Sequence, residues 1–213
     1  MKTIIWDWNG TLLDDAETCP AVMNRMLTRR GLAPIADLEY YREIFTFPVK
    51  DYYALAGLDL MREPFEALAA EYMEDYAQAA RACTLRAGAA ETINALHAMG
   101  CTQVIASASE QSDLDRQLAE QGLEGRFEAV LGISDRLGGG KAGLAQRYLE
   151  SHGIAVENAV FIGDTLHDFE VAQSIGCACI LLTGGHQSRK KLLTAGAQVL
   201  DDLEDIKTVI KLK

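Results

Sequence analysis

The chain has 213 residues, 49% hydrophobic and 24% charged, which is enough to bury a good core as one large domain or one domain carrying a smaller insert. Its net charge of −11 repels phosphate backbones and anionic membranes, and no basic patch offsets it, so nucleic acid and membrane surfaces are not expected as partners. No apolar run approaches membrane-spanning length, Asp7 stands where a signal peptide needs an apolar core, and the five cysteines, Cys19, Cys83, Cys101, Cys177 and Cys179, lack zinc spacing; the expectation is a cytoplasmic protein with reduced thiols.

Thr3 to Trp8, β-branched and aromatic, reads as a buried strand of a parallel sheet, and Asp7 interrupts it at its end. A carboxylate there is costly to bury unless it binds a metal or takes part in chemistry. Gly10 supplies a sharp turn and Thr11 places a hydroxyl beside the carboxylate. Asp14 with Glu17 predicts a capping pair for a helix over Ala16 to Arg30, ended by Gly31. The pattern then stays helical to Cys83: Leu38 to Phe45, Pro48 to Ala56, and a long segment entered through Pro64 and carrying Phe65, Leu68, Tyr72 and Tyr76.

From Leu85 onward helices and strands alternate. Helices are predicted near Ala89 to Met99, Asp113 to Gln121, Ala142 to His152 and Asp168 to Ile175, and strands over Thr102 to Ala106, Phe127 to Ile133, Ala159 to Ile162 and Ala178 to Leu182. A last helix, strand and helix complete the chain. Units of this length imply an α/β fold, a doubly wound parallel sheet, with an all-helical insert between its first two strands. The boundaries are 1–15 and 85–213 for the α/β core and 16–84 for the insert.

Three later stretches deliver polar groups to the same sheet edge as Asp7. The strand Val104-Ile105-Ala106 ends in Ser107, Val160-Phe161-Ile162-Gly163 leads into Asp164 and Asp168, and the glycine-rich loop Gly138-Gly139-Gly140 carries the ammonium of Lys141. Parallel strands share one carboxyl edge, where open α/β sheets bind ligands. Taken singly, Asp164 and Asp168 also fit a role as caps of the following helix, and Lys141 fits a solvated surface lysine. Gly138 to Gly143 formally satisfies G-x-G-x-x-G, but Ser134-Asp135-Arg136-Leu137 separate it from its strand, which argues against a dinucleotide loop.

With four motifs in this order, the chain resembles the haloacid dehalogenase-like superfamily over essentially its whole length, in the branch of phosphoglycolate phosphatases and β-phosphoglucomutases. The resemblance implies a Rossmann-like core with a mobile helical cap, here the insert. It makes Asp7 the nucleophile that takes the phosphoryl group, has Ser107 and Lys141 bind phosphate, and has Asp164, Asp168, Asp7 and the backbone carbonyl of Asn9 hold Mg²⁺. Phosphoryl transfer supports the pattern independently, because its charge on three oxygens needs fixed cations and donors. Thr11 would add a phosphate contact. The implied partner is a small phosphorylated metabolite, such as phosphoglycolate or a sugar phosphate, handled by a monomer or homodimer.

One residue departs from the pattern. The second residue after the nucleophile is usually an aspartate that protonates the leaving alkoxide and then activates water, and here it is Asn9. An amide cannot transfer a proton, a function worth roughly 10²- to 10⁴-fold. Three outcomes are open: His186 or His167 supplies the proton, the leaving group needs none, or the protein is a weakened enzyme that binds a phosphometabolite and signals through it. Phosphonatase-type chemistry is a further alternative and would need a Schiff-base lysine in the insert, where Lys50 is the only lysine. Arg42 and Lys50 lie beside aromatic residues and fit two readings equally: contacts to a substrate carboxylate or hydroxyls, or helix-surface charges without a function.

Overall fold

The computed structural model describes residues 2–133 and 140–211. The predicted glycine-rich loop therefore lies outside the described residues, up to Gly139. Strand β1 (Thr3–Trp6) is buried along its whole length, Ile4 and Trp6 facing one side and Ile5 the other, as a strand covered on both faces must be. It sits between β2 (Thr102–Glu110) and β4 (Ala159–Gly163) in a six-stranded sheet of order β3-β2-β1-β4-β5-β6, with every pairing parallel. The remaining strands are β3 (Ala129–Ile133), β5 (Ala178–Leu182) and β6 (Gln198–Leu200).

Between β1 and β2 come α1 (Thr18–Arg29), α2 (Leu38–Ile44), α3 (Val49–Leu55), α4 (Phe65–Ala79) and α5 (Ala89–Ala98). The first four form the helical insert. Two arginines at the end of α1 hold α4 and the segment before it: Arg29 pairs with Glu71 and Asp75, and Arg30, just past the helix, is clasped by Glu63 and Glu71. These pairs are partly exposed and orient α4 more than they stabilise it. The chain enters and leaves the insert side by side: the Asp14 amide donates to Thr84 and the Arg86 amide to Leu12. Beyond β2 follow α6 (Gln111–Glu120), α7 (Gly140–Ser151), α8 (Leu166–Ile175), α9 (Arg189–Leu192) and α10 (Ile206–Lys211).

The sheet has two apolar faces. Ile4, Ile105 and Ile162 pack with Ile93 of α5, Leu114 of α6 and Ile206 of α10, while Ile5, Val104 and Phe161 pack with Tyr148 of α7 and Val171 of α8. The Trp6 and Trp8 indoles are fully buried, and each donates its N–H to a buried glutamine, Gln103 at 3.0 Å and Gln117 at 2.8 Å. A buried indole needs such a partner. No helix among the described residues is long and apolar enough to cross a membrane.

Three expectations change. Helix α1 begins at Thr18 with Glu17 as its first flanking residue, and no side chain caps it; Asp14 is exposed and Asp15 turns inward, so the predicted Asp14–Glu17 capping pair does not form. Strand β2 continues past Ala106 to Glu110 through a register shift against β3. Lys141 belongs to the first turn of α7 instead of a loop.

Candidate active site

The order of strands reverses direction at β1 and β4, and that is where a doubly wound sheet opens a crevice at its carboxyl edge. Asp7 follows β1, with its backbone amide extending the ladder to Ile162 at 2.8 Å, and Asp164 follows β4. The chain then turns back: the amides of Leu12 and Leu13 both donate to the Trp8 carbonyl at 2.9 Å. Gly10 makes this turn at φ +70°, and a Cβ there would lie 2.5 Å from Asp164 Oδ2, so both the backbone and the close approach require glycine.

Six predicted residues meet at this edge. The Lys141 ammonium donates to Asp7 Oδ1 and to Asp168 Oδ1, each at 2.5 Å, and lies 5.1 Å from the centre of the Phe161 ring. Thr11 Oγ1 donates to Asp164 at 2.8 Å and stands 3.3 Å from Asp7 Oδ2. Its hydroxyl is fully buried and spent on carboxylates, so Thr11 orients the acids and does not reach the cavity as a phosphate contact. Ser107 is buried at the cavity floor, its Oγ accepting from the Ser109 amide at 3.1 Å. Asp168 also shapes the backbone. Its Oδ2 accepts from the amides of Asp164 and Thr165 and from the Thr165 hydroxyl, closing a capping box at the start of α8. Asp168 thus caps α8 with Oδ2 and holds Lys141 with Oδ1.

Asp7, Asp164 and Asp168 place carboxylate oxygens within 4.8 Å of one another, and the Lys141 ammonium pairs with two of them, Asp7 and Asp168. Burial, together with repulsion from Asp168 and Asp164, pushes the Asp7 carboxyl up to about 8 despite Lys141. Burial likewise raises Asp164. Burial would also raise Asp168, but Lys141 and the Thr165 donors outweigh it and hold that carboxyl below its ordinary range. For Lys141 burial works downward, and Asp168 and Asp7 reverse it to keep the ammonium charged. A set of buried oxygens with surplus negative charge fits a hard divalent cation such as Mg²⁺.

Around Asn9 lies a second buried network. The Asn9 amide donates to Asp15 Oδ2 at 2.9 Å and to the Tyr76 hydroxyl at 2.7 Å, and its oxygen accepts from Ser109 Oγ at 2.8 Å. Asp15, fully buried, also accepts from the Gly10 amide at 2.7 Å and from the Tyr76 hydroxyl at 2.6 Å, and it faces His186 Nε2 at 3.3 Å. Burial would raise Asp15, yet His186, Tyr76 and Asn9 together lower it. His186 is pushed by burial downward and by Asp15, Asp164 and Asp7 upward, ending at about 9. Its other ring nitrogen lies 2.8 Å from the Tyr41 hydroxyl, and its backbone amide donates to Asp164 Oδ2 at 2.6 Å.

Sequence reasoning missed Asp15, Ser109 and Tyr76. The doublet Asp14-Asp15 gave no sign that one of its acids is buried, since aspartates after a turn are mostly exposed. Ser109 shares a strand face with Ser107 by the two-residue period of β2. Nothing in the sequence tied Tyr76 to the site.

A cavity of about 270 Å³ lies between the sheet edge and the insert. Its floor carries Asp7, Asn9, Ser107, Ser109 and Lys141, with His167 and His186 at the side. His167 stacks on Phe47 at 4.5 Å and its Nδ1 lies 3.3 Å from Glu170. Two predicted substrate contacts are elsewhere. Arg42 donates to the backbone oxygens of Gly185 and Gly184 at 3.0 and 2.8 Å, and Lys50 is exposed on α3; neither lines the cavity. The phosphonatase reading thus loses its lysine.

A family model described as haloacid dehalogenase-like hydrolase matches residues 4–182. A phosphoglycolate phosphatase of Rhodobacter capsulatus is 27% identical over 188 residues, covering 86% of this chain and 85% of its own. One of Pseudomonas savastanoi pv. phaseolicola is 27% identical over 218 residues, covering 96% and 78%. Among solved structures, a haloacid dehalogenase-like hydrolase of Streptococcus pneumoniae superposes with a TM-score of 0.84 at 19% identity, over 99% of this chain and 98% of that one. CbbY of Rhodobacter sphaeroides, solved with xylulose-1,5-bisphosphate, gives a TM-score of 0.71 at 22% identity over 95% of each chain.

Proposed function

This chain belongs to the haloacid dehalogenase-like hydrolase family and is a phosphatase, and from that premise we propose that it hydrolyses a small phosphomonoester by way of a phosphoryl group carried on Asp7. The observation that carries this reading is the Lys141 ammonium held at 2.5 Å from both Asp7 and Asp168 on the cavity floor, with Asp164 beside them. Lys141 occupies Oδ1 of Asp7, which leaves Oδ2 to attack phosphorus as the ester P–O bond breaks. The alcohol departs with a proton, and water then cleaves the acyl phosphate to restore the carboxylate.

Ser107 supplies a hydroxyl toward the phosphoryl oxygens, Ser109 gives its hydroxyl to Asn9 and fixes that amide, and Lys141 balances the charge the oxygens gather. Asp7, Asp164 and the Asn9 backbone carbonyl would hold Mg²⁺, with Asp168 completing the carboxylate set; the ion would supply Lewis-acid charge against the phosphoryl oxygens. Asp168 also fixes Lys141 and the Asp164 turn. Asn9 gives no proton to the leaving oxygen. Of the two histidines at the cavity side, His186 has both ring nitrogens engaged, by Tyr41 and Asp15, whereas Nε2 of His167 has no partner among the described residues. His167 is therefore the better-placed proton donor. The insert closes the cavity as a cap.

The test is a screen of phosphorylated metabolites with and without Mg²⁺, followed by mass spectrometry for phosphate on Asp7. Turnover that needs Mg²⁺ together with an Asp7 adduct is expected. Absence of both, in folded protein, would turn the reading to a phosphometabolite-binding regulator, the alternative that Asn9 favours.

A further inference from the structure

The walls of the cavity differ from its floor. Above the acids and serines, the insert contributes Phe45, Phe47, Tyr53, Phe65, Tyr72 and Met73, and among the described lining residues no arginine or lysine comes from the insert. The one ammonium in the lining, Lys141, is committed to Asp7 and Asp168. Arg42, an insert cation that reaches this edge, is turned onto the backbone of Gly184 and Gly185. A substrate body that enters this space leaves water for rings.

We infer that the substrate carries an apolar, ring-bearing body on its phosphate, as in an aryl or arylalkyl phosphate monoester, in place of a carboxylate or a polyhydroxylated sugar. The inference deepens the phosphatase reading and rests on it. A carboxylate carried into these walls would lose its hydration and meet no arginine or lysine of the insert, and the His186 imidazole at the side is already paired with Asp15; the several hydroxyls of a sugar would lose water and gain few partners. Aromatic rings instead offer faces and edges: Tyr72 and Tyr76 lie parallel at 6.1 Å, and Phe45 meets Phe47 edge-on at 5.6 Å. The size agrees. An apolar cavity of roughly 150 Å³ takes one benzene ring, so about 270 Å³ takes a phosphoryl group with one ring-sized body.

Two polar groups border these walls: Nε2 of His167, open at the side, and the Tyr52 hydroxyl, buried and without a hydrogen-bonding partner among the described residues. The Tyr76 hydroxyl, by contrast, is already given to Asp15.

The test separates the body from the leaving group, since a phenolate leaves easily from any phosphatase. Benzyl phosphate, whose leaving oxygen is an ordinary alkoxide, is compared with 2-phosphoglycolate and glucose 6-phosphate at saturating Mg²⁺. Benzyl phosphate should exceed both in kcat/KM at least tenfold, and benzylphosphonate should inhibit at least tenfold more tightly than phosphonoacetate. Ala69→Arg, which sets a cation into the half-buried wall on α4, should narrow both ratios severalfold in a folded protein. Equal or inverted ratios, with phosphate found on Asp7 from phosphoglycolate, would overturn the inference while leaving the phosphatase reading intact. No turnover and no Asp7 adduct with any ester would overturn both.

Discussion

The Asn9 side-chain amide donates to Asp15 Oδ2 at 2.9 Å, so a buried carboxylate stands next to the position from which one is missing. The two residues match each other: an ionised aspartate at position 9 would face Asp15 charge to charge, and the amide avoids this. In Asn9→Asp the new carboxyl, buried beside Asp15, would be held protonated near neutral pH by that repulsion, the state a general acid needs. If no substitute acid such as His167 acts, turnover of alkyl phosphates should rise at least tenfold, a lower bound on roughly 10²- to 10⁴-fold for acid–base catalysis. Stability should fall by about 1–3 kcal/mol, because a carboxylic acid donates one hydrogen bond where the amide gives two. Steady-state kinetics on glycerol 2-phosphate and a thermal melt check both; unchanged turnover in folded variant would show that another group already supplies the proton.

Lys141 stands between two buried carboxylates, and its removal should act on chemistry and folding alike. Lys141→Met should lower kcat by about 10²- to 10³-fold, the range for losing one donor to developing charge. Without a divalent ion it should also cost about 3–5 kcal/mol, since Asp7 and Asp168 are left buried and unpaired. Adding Asp7→Asn to Lys141→Met should recover part of that stability in urea melts while activity stays absent. A Lys141→Met protein as stable as the parent would show that the ammonium is not the counter-charge of these acids.

The Asp15–His186 pair predicts how stability depends on pH. His186 is raised to about 9 in the folded protein from an ordinary value near 6.5, so its contribution is complete below about 6.5 and is lost as pH rises through about 9. Asp15 is lowered, so its share is lost only as pH falls below the ordinary carboxylate range. In chelator-treated protein, the melting temperature should fall between about pH 6.5 and 9, and His186→Gln should flatten that decline. Equal slopes for parent and variant across this window would remove the pair from the account.

The strand-end acids were legible from chain geometry, whereas Lys141, which singly reads as a solvated surface lysine, was placed with them only by the family resemblance. Asp7 and Asp164 end strands of a parallel sheet, and one edge of such a sheet collects every strand end. Asp15 was not legible, because the doublet Asp14-Asp15 does not reveal which acid faces in until the turn after Gly10 is built. Arg42 and Lys50 misled for a related reason: a cation next to aromatic residues in sequence says nothing about which side of a short helix borders the cavity. The apolar walls escaped notice because Phe65, Tyr72 and Met73 at helical spacing read equally well as core.

Arg42 tests whether its place in the fold or its charge matters. Its guanidinium bridges from the insert to the carbonyls of Gly184 and Gly185, and the next residue, His186, donates its backbone amide to Asp164. Arg42 thus secures the loop that orients a carboxylate of the site, and it does so from across the insert. Losing charge-assisted hydrogen bonds of this kind costs about 1.5–3 kcal/mol each at most; spread over loop and carboxylate, a drop in kcat/KM of about tenfold is expected for Arg42→Ala. The drop should be the same for 2-phosphoglycolate and for benzyl phosphate, because the side chain does not border the cavity. Were Arg42 a binder of the substrate carboxylate, phosphoglycolate alone would suffer, mostly in KM, and a ratio of the two esters that shifts tenfold or more in Arg42→Ala would return it to that role.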